Sequence, residues 1–361
     1  MADTQDSRLG RPYVPKDLGK HWSDPDVTEF AVKLPIHGQS HDAPFETIFE
    51  LAATAESAGF SSLYVIDHLL VPPYRLGGRT NADIERPYFL DAWTTLAAVA
   101  ARTKTIRLGP QVTPIGLRHP VFVAKWGATV DRISNGRLRL GVGLGHQEIE
   151  YTSYGLPFPP FRERYDAMVE GVEIIRRLWT EEGPLTYEGK YYSVTDVSFW
   201  PKPIQTHLPI WFGGTSKAIM RAVARLGDGW FPAFPQHSGF SPAFYRENLA
   251  AIREDAIARG RTERIGSGVL LLTAVSEDPA ELERFAAMLR RRAEYADYST
   301  QDFKDKGILF MGSPDEICRQ IEPYVEAGVE EITLGFHPLD DTDAIRRALD
   351  LYARKVMPRF Q

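Results

Sequence analysis

Leu138–Arg164 reads LRLGVGLGHQEIEYTSYGLPFPPFRER. Leu138, Leu140 and Val142 alternate like one face of a buried strand. Gly141, Gly143 and Gly145 space its exit, and a polar, aromatic loop follows. Glycine at a strand end lets the backbone approach a ligand closely, because no side chain stands in the way. A lone Gly-x-Gly-x-Gly carries little weight. Here a second exit of the same kind occurs at Ile210-Trp211-Phe212-Gly213-Gly214-Thr215-Ser216, and an earlier strand ends in Asp67-His68. Three strands that end in ligand-type residues predict one shared rim.

Working outward, apolar runs of strand length alternate with segments of helical period. The strands are expected at 30–36, 62–66, 105–112, 138–142, 209–212, 229–232, 268–274 and 331–336. Helical patterns follow at 44–58, 91–101, 120–133, 162–179, 217–226, 242–259, a pair at 279–298 and 314–327, and 342–355. Strand–helix alternation predicts a parallel α/β fold, and eight units favour the closed (β/α)8 TIM barrel over an open sheet. Gly59 and Gly328 stand just past helix ends, where a left-handed cap is needed. Ser313-Pro314-Asp315-Glu316 has the composition of a helix start. Two connections exceed the usual length of barrel loops: 69–90, after Asp67-His68, and 180–208. A loop after a strand lies on the catalytic face, so 69–90 reads either as a lid or as a surface excursion. Residues 1–28 are expected to form an N-terminal arm, and 29–361 a single barrel domain with insertion loops.

With 43% hydrophobic and 25% charged residues, the chain has the composition of a soluble globular protein. A formal net charge of −6 offers no basic stripe for nucleic acid. No run reaches the roughly 18 apolar residues of a membrane span, and the N-terminus has no apolar signal core, so a cytoplasmic location is expected. The single cysteine, Cys318, rules out an internal disulfide and sits in a helical pattern as a small core residue.

Among residues that carry chemistry, Asp67 beside His68 at a strand end could fix or protonate the imidazole, although a capping aspartate next to a structural histidine would read the same way. Pro110 and Pro114 predict that the third strand distorts around Gln111-Val112-Thr113, or that Pro110 ends it. Gly213-Gly214-Thr215-Ser216 before a helix offers backbone N–H groups and hydroxyls to a phosphate, with an ordinary N-cap as the competing explanation. It is neither a GxxxxGK[ST] loop nor a GxGxxG turn. His146 follows Gly145 as a possible second proton carrier. His37, His68 and His146 lack any metal-site spacing, and no metal is expected. Tyr88, Phe89, Trp93, Tyr151, Tyr154, Phe158 and Trp200 are candidates to line an apolar pocket or simply to pack.

Taken together, AESAGFSSLYVIDHLLVP (55–72), TIRLGPQVTP (105–114), the glycine-rich strand above, FRERYDAMVEGVEIIRRLW (161–179) and PKPIQTHLPIWFGGTSKAIMRAVARLGDGWFP (201–232) resemble the bacterial luciferase-like superfamily. These are (β/α)8 enzymes that use flavin or the deazaflavin coenzyme F420, and the likeness is closest to the deazaflavin branch. It implies that Asp67 and His68 are the strand-two pair, with the histidine near the reacting ring. It implies that Gln111-Val112 forms a bulge, often a non-proline cis peptide, which supports the ring from behind, with Thr113 after it. Gly143, Leu144 and Gly145 would run along the cofactor, and Gly213, Gly214, Thr215 and Ser216 would hold its phosphate. The sugar-phosphate dehydrogenases of this superfamily carry a glutamate where this chain has His146, a departure that speaks against sugar phosphate as substrate.

The resulting expectation is an oxidoreductase that moves a hydride between coenzyme F420 and a small, fairly apolar organic molecule, with His68 and His146 handling the proton. The alternatives are an FMN-dependent two-component monooxygenase, which would need a flavin reductase as partner, and a non-catalytic barrel that only binds the ring. The resemblance further implies a homodimer.

Overall fold

The computed structural model describes residues 27–38, 45–70, 88–233, 241–338 and 341–361. Eight parallel strands form the barrel: β1 (Glu29–Lys33), β2 (Ser62–Val65), β3 (Arg107–Pro110), β4 (Leu140–Gly143), β5 (Ile210–Phe212), β6 (Gly229–Trp230), β7 (Gly266–Val275) and β8 (Glu331–Phe336). Each pairs with its sequence neighbour, and β1 pairs with β8. The β3–β4 seam is the exception. It holds through a Leu108–Leu138 bridge at one end and through Thr113–Pro114 pairing with Val142 and Gly143 at the other. Between them lies the bulge at Gln111-Val112, whose peptide bond is cis. The distortion expected around Gln111-Val112-Thr113 is present: the third strand stops at Pro110 and resumes at Thr113.

Strand alternation divides the layers. Phe30, Val32, Leu63, Val65, Ile332 and Leu334 point outward into one apolar core shared with the helices. Their neighbours Tyr64, Arg139 and Glu331 point inward and bond one another. The helices Phe45–Ser57, Ala92–Arg102, Pro120–Ser134, Phe161–Thr180, Lys217–Leu226, Pro242–Ala258, Pro314–Glu326 and Thr342–Leu351 fall where periodicity put them. Asp91, Ser216 and Ser313 cap three of them through side-chain oxygens, and Gly59 and Gly328 adopt the left-handed conformation expected past helix ends.

The long 180–208 connection contains an antiparallel hairpin, Leu185–Glu188 with Ser193–Val197. After β7, the helices Pro279–Leu289 and Thr300–Asp305 enclose a small second core with Phe285, Phe303 and Met311. A ninth parallel strand, Phe310–Gly312, adds to the end of β7. The segment expected as a lid or a surface excursion falls largely on 71–87, and the N-terminal arm largely on 1–26; both lie outside the described residues. The far end of the proposed lid is anchored, because Tyr88–Phe89 pairs antiparallel with His37–Gly38.

Candidate active site

In a parallel barrel every strand ends at the same mouth, so residues at strand ends meet there regardless of their distance in sequence. A chain of contacts shows how closely they meet. The Thr113 hydroxyl donates to Asp67 Oδ2 at 3.0 Å, joining the ends of β2 and β3. Thr113 pairs with Val142 in β4, and Gly213 N–H donates to the Val142 carbonyl at 3.0 Å, bringing in β5.

Val112 stands at the centre of this group. A Cβ on Gly143 would lie 2.4 Å from one Val112 methyl, and a Cβ on Gly213 would lie 2.9 Å from the other. Both rim glycines are therefore required by the valine. The sequence reading gave their open space to a ligand; in the structure a protein side chain fills it. Gly145 behaves likewise, with a Cβ position only 2.1 Å from the Tyr151 hydroxyl. What the bare backbone of Gly143 and Gly213 builds is a seat for the Val112 side chain between the ends of β4 and β5.

Beside it, Gln111 turns into the barrel, where its amide nitrogen donates to Thr333 Oγ1 at 3.3 Å. Its Oε1 is buried with no partner among the described residues. Leaving a buried acceptor unpaired costs on the order of 1–3 kcal/mol, so such atoms mark places where a donor is expected to arrive.

Asp67 and His68 separate in role. The Asp67 carboxylate is fully buried and faces Arg118 (3.0 Å) and Thr113, away from its neighbour's ring. Burial raises its carboxyl above the ordinary range, although Arg118 and the Thr113 hydroxyl both pull it down. Arg118 also binds Asp91 at 2.9 Å, and Trp93 donates its indole N–H to Thr113 at 3.1 Å. The expectation that Asp67 fixes His68 is overturned. The imidazole is held by Glu150, whose Oε2 lies 2.8 Å from His68 Nδ1 while Oε1 accepts from the Leu69 N–H at 2.6 Å. Phe89 meets the His68 ring edge-on at 5.6 Å, and the His146 ring does so at 6.1 Å.

Glu150 lies in a short helix, Glu148–Thr152, and only 2% of its side chain is exposed. Sequence reasoning missed it, as it missed Arg118. Glu148 and Glu150 look alike in a polar loop, and only the fold shows which one turns inward. The loop behind them is clamped by Arg164, which donates to the Gly145 carbonyl and stacks 3.9 Å over Phe158. At the β5 exit, Gly214 has φ +120°, and Ser216 caps the next helix by accepting from Ile219 N–H. The capping explanation for Ser216 is thus realised, while Thr215 stays exposed. Of the aromatic candidates, Phe89 sits between His37 and His68. Trp93 and Tyr151 are buried beneath the rim, and Trp200 is on the outer layer, where its carbonyl accepts from Lys125. No described helix is long and apolar enough to cross a membrane.

Known proteins resemble the chain over most of its length. An F420-dependent glucose-6-phosphate dehydrogenase from Amycolatopsis mediterranei is 30% identical over 334 residues, covering 87% of this chain and 94% of that protein. A monooxygenase from Streptomyces bottropensis superimposes with a TM-score of 0.75 at 25% identity, over 92% of this chain and 100% of that one. An F420-dependent secondary alcohol dehydrogenase, solved with an F420-acetone adduct, has the same fold at 20% identity, with a TM-score of 0.75 over 93% and 99% of the two chains. A family model for luciferase-like monooxygenases matches residues 28–331. The chain belongs to the luciferase-like monooxygenase family.

Proposed function

We propose that this protein is a coenzyme F420-dependent oxidoreductase acting on a small organic substrate, with the ring held over Val112. The observation that carries the reading is the seat of Val112 between Gly143 and Gly213, with the Glu150-held His68 on the same rim. A flat tricyclic ring needs an apolar support and open backbone at its edges, and this arrangement offers both. Gln111 Oε1, buried and unpaired, suits an N–H at a polar ring edge. Leu144 and Gly145 continue the bare backbone from Gly143. Gly214, in a conformation that side chains rarely adopt, turns the chain so that Thr215 and Ser216 stand at a helix N-terminus, where a phosphate is favoured.

When bound, the deazaflavin supplies hydride transfer at its carbon five. The chain supplies the proton path. His68 gives or takes the proton that accompanies the hydride, with His146 close enough to share the task. Asp67 acts indirectly, holding Thr113 and Arg118 beneath the rim. Phe89, packed between His37 and His68, gives the substrate side an apolar wall, which favours an uncharged alcohol or carbonyl compound. The glucose-6-phosphate dehydrogenases among the relatives keep sugar phosphate as the competitor for this part of the reading.

A second reading, an FMN-dependent monooxygenase served by a separate reductase, is favoured by the likeness to the Streptomyces bottropensis enzyme. Titration of the purified protein with coenzyme F420 and with FMN, followed by fluorescence quenching, separates the two. Preference for F420, with substrate-dependent bleaching that slows at least tenfold in His68→Ala at unchanged affinity, is the expected result. Binding of FMN alone, with oxygen uptake, would replace the first reading by the second.

A further inference from the structure

The contact between Glu150 and His68 carries a consequence for the state of the imidazole. As a carboxylate, Glu150 has acceptors only, so the 2.8 Å contact from Oε2 to His68 Nδ1 requires the hydrogen to lie on Nδ1. The same carboxylate accepts from the Leu69 N–H at 2.6 Å, pinning the main chain directly after the histidine. Phe89 and His146 hold two further edges of the ring. His68 Nε2 has no hydrogen-bond partner among the described residues. One buried side chain therefore sets the ring's position, its rotation and its hydrogen.

We propose that Glu150 is a positioning residue that holds His68 as the Nδ1–H tautomer and so presents Nε2 as the site's proton acceptor. This rests on the reading of His68 as the proton carrier. The logic is that of a carboxylate behind a catalytic imidazole, which fixes the tautomer and stabilises the imidazolium formed when Nε2 takes a proton. The balance is simple. A substrate O–H bond breaks, its proton bonds to Nε2, and the added positive charge is met by Glu150 through the Nδ1–H already in place. In the reverse direction the proton returns from Nε2 to the substrate oxygen.

Glu150→Gln tests this cleanly. Its amide oxygen can still accept from the Leu69 N–H, but its NH2 group faces Nδ1 and can only donate, which drives the ring hydrogen to Nε2. Two readouts on the full chain need no cofactor. In nitrogen-15 histidine spectra at mildly alkaline pH, with the His68 signal assigned by its loss in His68→Gln, the wild type is expected to carry its hydrogen on Nδ1 and Glu150→Gln on Nε2. Diethylpyrocarbonate, which attacks an unprotonated ring nitrogen, is expected to modify His68 at least tenfold more slowly in Glu150→Gln, read by peptide mass mapping. A hydrogen on Nε2 in the wild type, alone or together with Nδ1, overturns the proposal. So does a Glu150→Gln variant with unchanged tautomer and modification rate, since a purely structural role would shift stability alone. Should Glu150→Gln fail to fold, the wild-type spectrum still decides. Failure of F420 to bind would sink the functional reading and leave this result standing, so the two remain distinguishable.

Discussion

At the N-terminal end of the barrel, Glu331 receives hydrogen bonds from Tyr64 (2.8 Å), Arg139 (2.8 Å) and Ser62 (2.8 Å), with Arg107 at 3.4 Å, and Arg107 also pairs with Glu29. The Arg139 guanidinium lies 4.1 Å over the Trp211 ring. At the C-terminal end, Gln111 Oε1 and the Tyr151 hydroxyl are buried without partners among the described residues, and a valine fills the space between Gly143 and Gly213. Both ends are interior, and both contain polar groups that would rather be in water. At the floor the chain satisfies its own charges; at the mouth it leaves acceptors open. A floor closed in this way plugs the barrel, whereas the open polar groups at the mouth suit the ligand proposed above.

The largest expected effect tests the floor. Glu331→Gln strands Arg139 in the interior, while Arg107 keeps Glu29, and loss of one partner of a buried pair costs about 3–5 kcal/mol. Urea unfolding should record that loss, while cofactor affinity at low denaturant stays at the wild-type value. A pH series sharpens the point. Burial alone would raise the Glu331 carboxyl, but Arg139, Arg107, Tyr64 and Ser62 together hold it below the ordinary glutamate range. A carboxyl lowered by folding contributes in full above its unfolded pKa and loses that contribution as pH falls through the folded value. The wild type should therefore lose stability in acid more steeply than Glu331→Gln. Equal acid slopes, or a large loss of cofactor affinity, would mean that floor and mouth are not independent.

A smaller effect, confined to the mouth, is expected from Gly213→Ala. Its Cβ would arrive 2.9 Å from a Val112 methyl, too close for a side chain that cannot swing away. Displacement of Val112 should weaken cofactor binding about tenfold, near 1.4 kcal/mol, with little change in stability. Val112→Ala introduced beside it should recover part of that loss by making room. If the double variant binds no better than Gly213→Ala alone, crowding against Val112 does not by itself account for the loss.

The same division explains what could be read from the sequence. The barrel was legible because strand and helix periods are local: β8 at Glu331–Phe336 and the helix Lys217–Leu226 fall at the expected residues. The rim was legible too, since glycine pairs and proline punctuation mark strand ends. Roles that arise only from packing across the barrel were not. Gly143 and Gly213 read as space for a ligand, because nothing local reveals that Val112 folds up between them. The hairpin at 185–197 read as a loop. Its turn is organised by Glu170, reaching from a neighbouring helix to accept from the N–H groups of Lys190, Tyr191 and Tyr192. Glu150 carried no signal distinct from Glu148. A strand end betrays that a site exists, and the tertiary fold decides which carboxylate enters it.

The finest test turns on a sign. Gln111 donates weakly to Thr333 at 3.3 Å and leaves Oε1 unpaired; turning the amide over would merely leave the nitrogen unpaired instead. Replacing Gln111 with methionine, of similar length, together with Thr333→Val, which leaves no hydroxyl stranded, removes one hydrogen bond worth about 1 kcal/mol and one orphaned acceptor costing about 1–3 kcal/mol. The cofactor-free double variant should then become more stable, by up to about 2 kcal/mol in urea unfolding, even as affinity for the ring declines. At the floor, removing a polar partner weakens the fold; at the mouth, removing a polar group should strengthen it. If the Gln111→Met, Thr333→Val double variant instead destabilises the cofactor-free protein, the amide is already serving the fold, and the contrast between the two ends fails at the residue where it is sharpest.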